Sequence, residues 1–473
     1  MKTAWVHRGM LALIISASFI ACKRDRDDEE PAPTPPAGER IDTLRGELTT
    51  ELRLDSTKKY LLVGTFIVRE GGILRIPAGT VIFGDRRTKG TLIIDRGGKI
   101  FAQGTPDKPI IFTSRFGPGE RDRGDWGGVI ILGKARVNQA NVNIEGVNPL
   151  MPYGGTDDED NSGIFRYVRI EYSGVALSPN NEINSLTLGG VGRGTQIDHV
   201  QVSYGGDDGF EWFGGTVDAK YLVSFATWDD DLDVDFGWSG RVQFALVIRD
   251  PFGADQSGSN AFECDNDASG SAATPFTSGV FSNVTVIGPI WARGFRPSAT
   301  YQNAIHLRRN AAVSIFNSVI GGFPTGLRID GGINSTLGHY LDGRAFLRYN
   351  VLYIDSANVR ALFRGDSSGT SIADRVRDLW NDSQNGNQQQ GADSLAFLFG
   401  YSSTNPLPFF RYVEGQANPS LTLPGGSPLA TGADFSHPKL DNFFERVSFR
   451  GALRVDGDWT DGWCSFRPQD IQY

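Results

Sequence analysis

Carboxylates and aromatic rings crowd one tract of the sequence, from Ser203 to Phe244. Within this tract the letters GGDDG place Asp207 next to Asp208. Two neighbouring carboxyl groups, one as acid and one as base, are what the hydrolysis of a glycosidic bond requires. We therefore take Asp207 and Asp208 as the catalytic candidates of the chain.

A second acidic run, DDDLDVD at 229–235, offers oxygen ligands for a cation. Hard cations such as Ca²⁺ bind several carboxylates at once. The run therefore predicts a calcium site formed by Asp229, Asp231, Asp233 and Asp235. The glycine and the terminal glutamate of an EF-hand loop are missing, so we expect such an ion to hold a turn in place and to have no part in catalysis.

Binding of a sugar is a third use for the same tract. Aromatic rings stack on the apolar faces of sugars, and carboxylates beside them bond to hydroxyl groups. On this interpretation the ligand-binding residues are Glu211, Trp212, Trp228, Asp230 and Trp238.

A purely structural interpretation stays open for most of these residues. Asp and Asn at the end of a strand accept hydrogen bonds from the amides of the following turn, and repetition once per coil would stack them into a ladder. The acids thin out after residue 267, although the hydrophobic frame continues: FPTGLRI at 323–329 stands where 206–212 reads GDDGFEW. Acidic residues that the repeating hydrophobic pattern does not require favour a functional site in this region.

The elements that would position these residues are short β-strands. Runs of four to eight Val, Ile, Leu, Phe and Thr alternate with Gly, Pro, Asp and Asn, and helical periodicity is nearly absent before residue 370. Asp208 and Asp233, Gly215 and Gly240, and Val217 and Val242 suggest a repeat of 25 residues (233 minus 208). Residues 318–332 also overlay 201–215, with the glycine and hydrophobic positions in agreement.

A repeat of this length without intervening helices predicts an all-β fold, a single-stranded right-handed parallel β-helix in which equivalent side chains stack from coil to coil. A β-propeller and a tandem of β-sandwiches are the alternatives. Neither the forty-residue blade period nor a series of Asn-Gly hairpins is present.

The N-terminus has the features of an export signal. Lys2 and Arg8 precede the apolar run MLALIISASFIA, which is too short for a permanent membrane span and ends at Cys22. This resembles the lipobox of bacterial lipoproteins, which implies cleavage before Cys22 and lipidation of that cysteine. The charged, proline-rich segment that follows cannot bury enough surface to fold, and its acids resemble the signal that exports Bacteroidetes lipoproteins to the cell surface.

Several motifs resemble one family of Bacteroidetes surface proteins. They are GDWGGVIILGKA (124–135), RYVRIEYSG (166–174), GGDDGFEWFGGTV (205–217), DDDLDVDFGW (229–238) and FRGALRVDGDWTDGWCSF (449–466). The resemblance implies a lipoprotein with a right-handed β-helix and carries no assigned reaction. GGDDG also resembles the paired-aspartate motif of polygalacturonase-like hydrolases, but their other motifs do not follow in order, and no Lys or Arg base stands beside the acids in the sequence.

Composition and the chain ends complete the interpretation. A net charge of −9 with no basic stripe argues against nucleic-acid binding, and the sequence leaves open whether Cys264 and Cys464 form a disulfide.

Ser371 is a candidate N-cap of a helix over 371–382. The closing segment, rich in Phe and Trp, is expected to cap the solenoid and fold back on that helix.

The predicted organisation is a signal peptide (1–21), a tether (22–40), a parallel β-helix (41–369) and a capping region (370–473). We expect an outer-membrane lipoprotein exposed at the cell surface that binds extracellular glycan or an outer-membrane partner, such as a transport protein. A polysaccharide hydrolase or lyase and a structural or adhesive surface protein are the alternatives. No cofactor is expected beyond structural Ca²⁺.

Overall fold

A computed structural model describes residues 41–178, 181–290, 296–353, 360–391 and 419–473. The predicted signal peptide, the tether and the lipidation site Cys22 lie outside these ranges. No helix within them has the length and hydropathy to cross a bilayer.

Short β-strands form most of the described chain. In chain order they are β1 (Ile41–Leu48), β2 (Glu51–Arg53), β3 (Lys59–Val68), β4 (Ile73–Pro77), β5 (Val81–Gly84), β6 (Thr91–Ile94), β7 (Lys99–Gln103), β8 (Ile110–Ser114), β9 (Val129–Leu132), β10 (Asn143–Ile144), β11 (Met151–Pro152), β12 (Gly163–Glu171), β13 (Val175–Ser178), β14 (Asn181–Ile183), β15 (Leu186–Val191), β16 (Gln196–Ser203), β17 (Phe210–Gly215), β18 (Ala219–Phe225), β19 (Leu232–Asp235), β20 (Arg241–Ile248), β21 (Phe262–Cys264), β22 (Val280–Ile287), β23 (Asn303–Leu307), β24 (Ser314–Phe316), β25 (Val319–Gly321), β26 (Thr325–Ile329), β27 (Leu347–Arg348), β28 (Val351–Tyr353), β29 (Ala361–Arg364), β30 (Asp366–Ser367), β31 (Thr370–Ser371) and β32 (Gln388–Gln390). The α-helices are α1 (Thr336–Leu341) and α2 (Ala373–Asn381), and three 3₁₀ turns span Ser383–Asn385, Pro428–Ala430 and Pro468–Asp470.

Twenty-six of these strands form one continuous sheet whose pairings are all parallel, as in a right-handed parallel β-helix. Each coil passes through three stacks. In β16 the first three residues belong to the first stack, His199 bends the chain at a φ of 52°, and the remaining residues belong to the second stack. The next strand, β17, belongs to the third stack. The predicted fold class is confirmed.

The coil is shorter than the predicted repeat. Phe210 pairs with Leu232 and Glu211 with Asp233, an offset of 22 residues (232 minus 210). The expected match of Asp208 with Asp233 is therefore wrong, because aspartates occupy different positions in the two neighbouring coils. The longer overlay of 318–332 on 201–215 is confirmed, since successive pairings lead from Phe210 through Leu232, Phe262 and Ile305 to Leu327.

The interior of the coils is filled by stacked apolar side chains. Trp212 and Trp238 are both 0% exposed, with ring centroids 5.3 Å apart, and Trp238 lies at the same distance from Phe281. Trp212 points inward because side chains alternate along β17 and its neighbours Glu211 and Phe213 point outward. The prediction that Trp212 and Trp238 contact a ligand is therefore wrong.

The C-terminal end of the interior is closed by α2. Val376 and Trp380 of this helix are buried in the interior core, as its apolar spacing predicted. The helix begins at Ala373, and Ser371 accepts only a long hydrogen bond of 3.4 Å from the amide of Ala373. The large sheet extends beyond residue 369, since β32 pairs with β28.

Residues 419–473, here called the strap, run back along the side of the solenoid. Gln201 on the second stack donates to the carbonyl of Ser465 at 2.7 Å, and Lys59 of an early coil donates to the carbonyl of Tyr473. Trp463 is buried against the outer face of the second stack, so the strap covers a flank of the solenoid. Cys264 is buried in the interior core, whereas Cys464 of the strap is buried on the outer face of the second stack, so the two do not form a disulfide with each other.

Changing Trp212 to alanine is expected to lower the free energy of unfolding by about 3–5 kcal/mol, because the substitution leaves a cavity in a closely packed interior. Urea unfolding of the full chain measures the effect. Trp228→Ala is the matched control, since Trp228 is only half-buried, and its effect should be clearly smaller. An equal or smaller loss for Trp212→Ala would contradict the inward orientation of this ring.

Candidate functional site

One outward-facing row of the third stack changes in character along the solenoid. Successive strand pairings place these residues next to one another: Ile67, Ile93, Ile130, Thr187, Glu211, Asp233, Glu263, His306, Arg328 and Arg364. We call this the outer row. It is apolar at first, then acidic and finally basic.

The apolar beginning of the outer row is covered by the chain itself. Ile67, Ile93 and Ile130 pack with Met151 and Tyr153 of the long segment between β9 and β12. The charged part of the row begins at Glu211, which is itself buried, and its later members Glu263, His306 and Arg328 line an open cleft.

Acidic side chains converge around the start of this charged part. Three overlapping groups have ligand atoms within 4.8 Å of one another: Asp207 with Asp208 and Asp229, Asp208 with Glu211 and Asp233, and Asp230 with Asp233 and Glu263. We call these seven residues the acidic cluster. The structure thus brings the two catalytic candidates together with Glu211, Asp230 and two of the predicted metal ligands.

Two members of the cluster also belong to a ladder along the turn before the third stack. Asn184 Oδ1 accepts from the amide of Asp208 and Asp208 Oδ1 from that of Asp230. Asp230 and Asn260 continue the series by accepting from the amides of Asn260 and Asn303. The structural interpretation is confirmed for Asp208 and Asp230, whose carboxylates satisfy backbone donors.

Asp231 points away from the cluster. Its carboxylate and the guanidinium of Arg249 form an ion pair at 3.1 Å, with both side chains 0% exposed. Arg249 also donates to the carbonyls of Trp228 and Asp229, so it fixes the turn that carries the acids. Arg249 could not be singled out from the sequence, because a basic residue that directly follows an apolar strand does not reveal its partner.

The predicted calcium site is therefore wrong as a set of four. Asp231 is committed to Arg249, and Asp235 belongs to none of the three acidic groups. Asp229 and Asp233 lie in different groups. The residues that converge come from neighbouring coils, which spacing along a single strand cannot show.

Burial and crowding hold six of the seven carboxyl groups toward their protonated forms. Glu263 is the exception, because His306 and Arg308 lower its pKa against the opposing effect of burial. Burial raises the pKa of Asp208, Asp230 and Asp233 well above the ordinary range, and neighbouring carboxylates raise it further. Burial, followed by the charge of Asp255, raises the pKa of Asp229 to about 7. Among the described residues, the acidic cluster receives one ion pair from a Lys or Arg, that of Arg308 with Glu263.

Basic residues that the sequence did not single out continue the site. Arg308 pairs with Glu263 and with Asp265, the latter at 2.8 Å, and Arg328 pairs with Asp330 at 2.8 Å. They lie in later coils, separated from the acids by the insertions between β20 and β23, so the regular repeat did not connect them. Arg and acid nevertheless stand side by side on the folded surface.

A cleft of about 820 Å³ opens beside the cluster. It is lined by Asp229, Asp230, Glu263, His306 and Arg308, among others. Trp228 precedes the lining residue Asp229 in the chain and is half-buried, with the Arg123 guanidinium 5.4 Å from its ring. Arg123 also pairs with Asp250, and Phe252 on the same loop is 74% exposed. Part of the Trp228 side chain thus remains accessible to a ligand. Phe252 is a further exposed aromatic residue that the sequence analysis did not select.

The stacked parallel coils, with an acidic flank that carries a cleft, define the protein as a parallel β-helix. A family model described as a pectate-lyase-like β-helix domain matches residues 46–395, and the chain belongs to that family. No curated protein and no solved structure matches the chain.

The raised carboxyl pKa values predict that stability falls as the pH rises from 5 to 8 in a chelating buffer. Asp229 and Asp235 have a pKa of about 7 in the folded chain and about 3.9 when unfolded. Between these values the folded state binds more protons, so each group lowers the free energy of unfolding by up to about 1.4 kcal/mol per pH unit.

Urea unfolding at pH 5 and pH 8 measures this loss. Asp229→Asn should reduce the slope, whereas Asp374→Asn, an exposed acid on α2, should leave it unchanged. A free energy of unfolding that is constant or rises over this range would contradict the buried, crowded state of the carboxyl groups.

Proposed function

We propose that the protein is a lipid-anchored protein of the cell surface that binds extracellular glycan along the charged flank of its third stack. The observation that carries the proposal is the open cleft, where acidic and basic side chains from several coils meet and beside which the chain places Trp228 next to Asp229. Sites of this kind bind sugars by stacking and by hydrogen bonds to hydroxyl groups.

The shape of the flank supports a chain-like ligand. Equivalent residues of successive coils are spaced about 4.8 Å apart, so the outer row from Glu211 to Arg364 presents polar groups at regular intervals. Trp228 and Phe252 lie at one edge of this track, on the turn and the loop that flank Asp229. A pectate-lyase-like family agrees with a polysaccharide as the ligand class.

The proposed lipid anchor and the proposed location at the cell surface rest on the N-terminal sequence. The lipobox-like residues before Cys22 and the acidic tether after it support a lipoprotein whose solenoid stands away from the outer membrane. An outer-membrane transport protein is the partner that such a location suggests.

A polysaccharide hydrolase or lyase is the second candidate. Arg308 and His306 beside Glu263 supply the basic groups that the sequence did not show beside the acids. Asp208 is engaged in the ladder, which leaves Asp207 and Asp229 as the carboxyl pair. Their ligand atoms lie within 4.8 Å, close to the roughly 5–5.5 Å separation found in retaining glycosidases.

Binding to immobilised neutral, uronate-containing and amino-sugar polysaccharides tests the proposal. The full chain is expected to bind at least one class, and Trp228→Ala to weaken that binding about tenfold, equivalent to about 1.4 kcal/mol, because a stacking ring is lost. Leu150→Ala is the control, since Leu150 is an exposed apolar residue on the segment between β9 and β12.

The same incubations are assayed for new reducing ends and unsaturated products. Product that disappears in Asp207→Asn would establish the enzyme. Failure of the wild-type chain to bind any class, or equal binding by Trp228→Ala, would refute the glycan-binding function and leave the structural or adhesive role.

A further inference from the structure

Three arginines line the cleft, and the chain itself supplies a carboxylate to each of them. The pairs are Arg308 with Glu263, Arg309 with Asp265 and Arg328 with Asp330. A carboxylate on a ligand would have to compete with these acids for the guanidinium groups, at the cost of bringing like charges together. The arginines therefore give the cleft little attraction for an anionic ligand.

Two other acids of the cleft lining, Asp229 and Asp230, have no such partner. The one ion pair that a Lys or Arg of the described residues makes with the acidic cluster is at Glu263. Asp207 and Asp208 add to the negative charge, since they offer oxygen atoms within 4.8 Å of an oxygen of Asp229. The part of the cleft beside Asp229 and Asp230 therefore carries negative charge that no basic side chain compensates.

Two buried acceptors of the lining also lack a hydrogen bond. Oδ1 of Asp229 and Nδ1 of His306 have no hydrogen-bond partner among the described residues. The His306 side chain is 5% exposed, and when its Nε2–H donates to Asp330 Oδ2 at 2.9 Å, Nδ1 is an acceptor. Glu263 Oε2 lies 3.6 Å from Nδ1, which is too far for a hydrogen bond. Because buried polar groups without partners are rare, both atoms indicate a ligand that brings donors.

We propose that the ligand is a glycan with free amino groups, one of which binds as an ammonium group at Asp229 and Asp230. The inference rests on the proposed glycan-binding function and names the chemical class of the ligand. An ammonium group brings three N–H donors and the positive charge that these two acids lack. Trp228 precedes Asp229 in the chain, and aromatic rings attract cations. A uronate would instead bring a second negative charge toward Asp229.

Two oligosaccharides that differ only at their amino groups test the inference: a β-1,4-linked glucosamine hexamer and the same hexamer with every amino group acetylated. Calorimetry with the full chain, in a low-salt buffer that keeps the amines protonated, is expected to show at least about tenfold tighter binding of the glucosamine form. The preference should shrink as NaCl is added, because salt screens the attraction between charges. Asp229→Asn should reduce it to less than about threefold.

Asp374→Asn is the matched control, because Asp374 is an exposed acid on α2, and it should keep the preference of the wild type. Circular dichroism checks each variant, and the comparison of the two hexamers on the wild-type chain decides the outcome if Asp229→Asn does not fold.

Equal binding of the two hexamers, tighter binding of an oligogalacturonate, or a preference that is undiminished in Asp229→Asn would overturn the inference and leave glycan binding intact. Binding of neutral or uronate polysaccharides without any binding of the glucosamine hexamer would do the same. Failure of the wild-type chain to bind any class of polysaccharide would refute the glycan-binding function and this inference with it.

Discussion

Parallel hydrogen bonding between coils keeps equivalent residues about 4.8 Å apart along the whole solenoid. Whatever side chain a position carries is therefore stacked on the side chain at that position in the next coil. Inside, this brings Trp212 against Trp238. Outside, it brings Glu211 against Asp233 and Asp233 against Glu263. Repulsion among the carboxylates is a direct cost of this arrangement, and the β-helix fold itself does not require it.

Other parts of the chain cover some surfaces of the solenoid and leave one exposed for binding. The segment between β9 and β12 covers the apolar part of the outer row, and the strap covers the second stack. The charged part of the third stack lies outside both clusters and carries the cleft. The two covered surfaces thus stabilise the fold. The uncovered part of the third stack holds carboxylates that destabilise the fold unless protons, a cation or a ligand compensate their charge.

The sequence predicted the fold because glycine-bounded strands repeat, and the overlay of Phe210 on Leu327 holds in the register. It also located the acid-rich region correctly. The orientation of Trp212 could not be predicted, because a shift of one position along a strand moves a side chain from the interior to the surface. His306 was missed because the insertions between β20 and β23 separate it along the chain from the acids it meets. Arg249 was missed because no spacing along the chain encodes its partner Asp231.

The central claim is that the outer row places carboxylates of successive coils in direct contact. A double-mutant cycle of Glu211→Gln and Asp233→Asn, measured by urea unfolding at pH 8 in chelator, tests it most directly. The account predicts that either change alone stabilises the chain and that the two effects fall short of additivity by at least about 0.5 kcal/mol. Effects that simply add would contradict the claim, since they would mean that the two side chains do not meet.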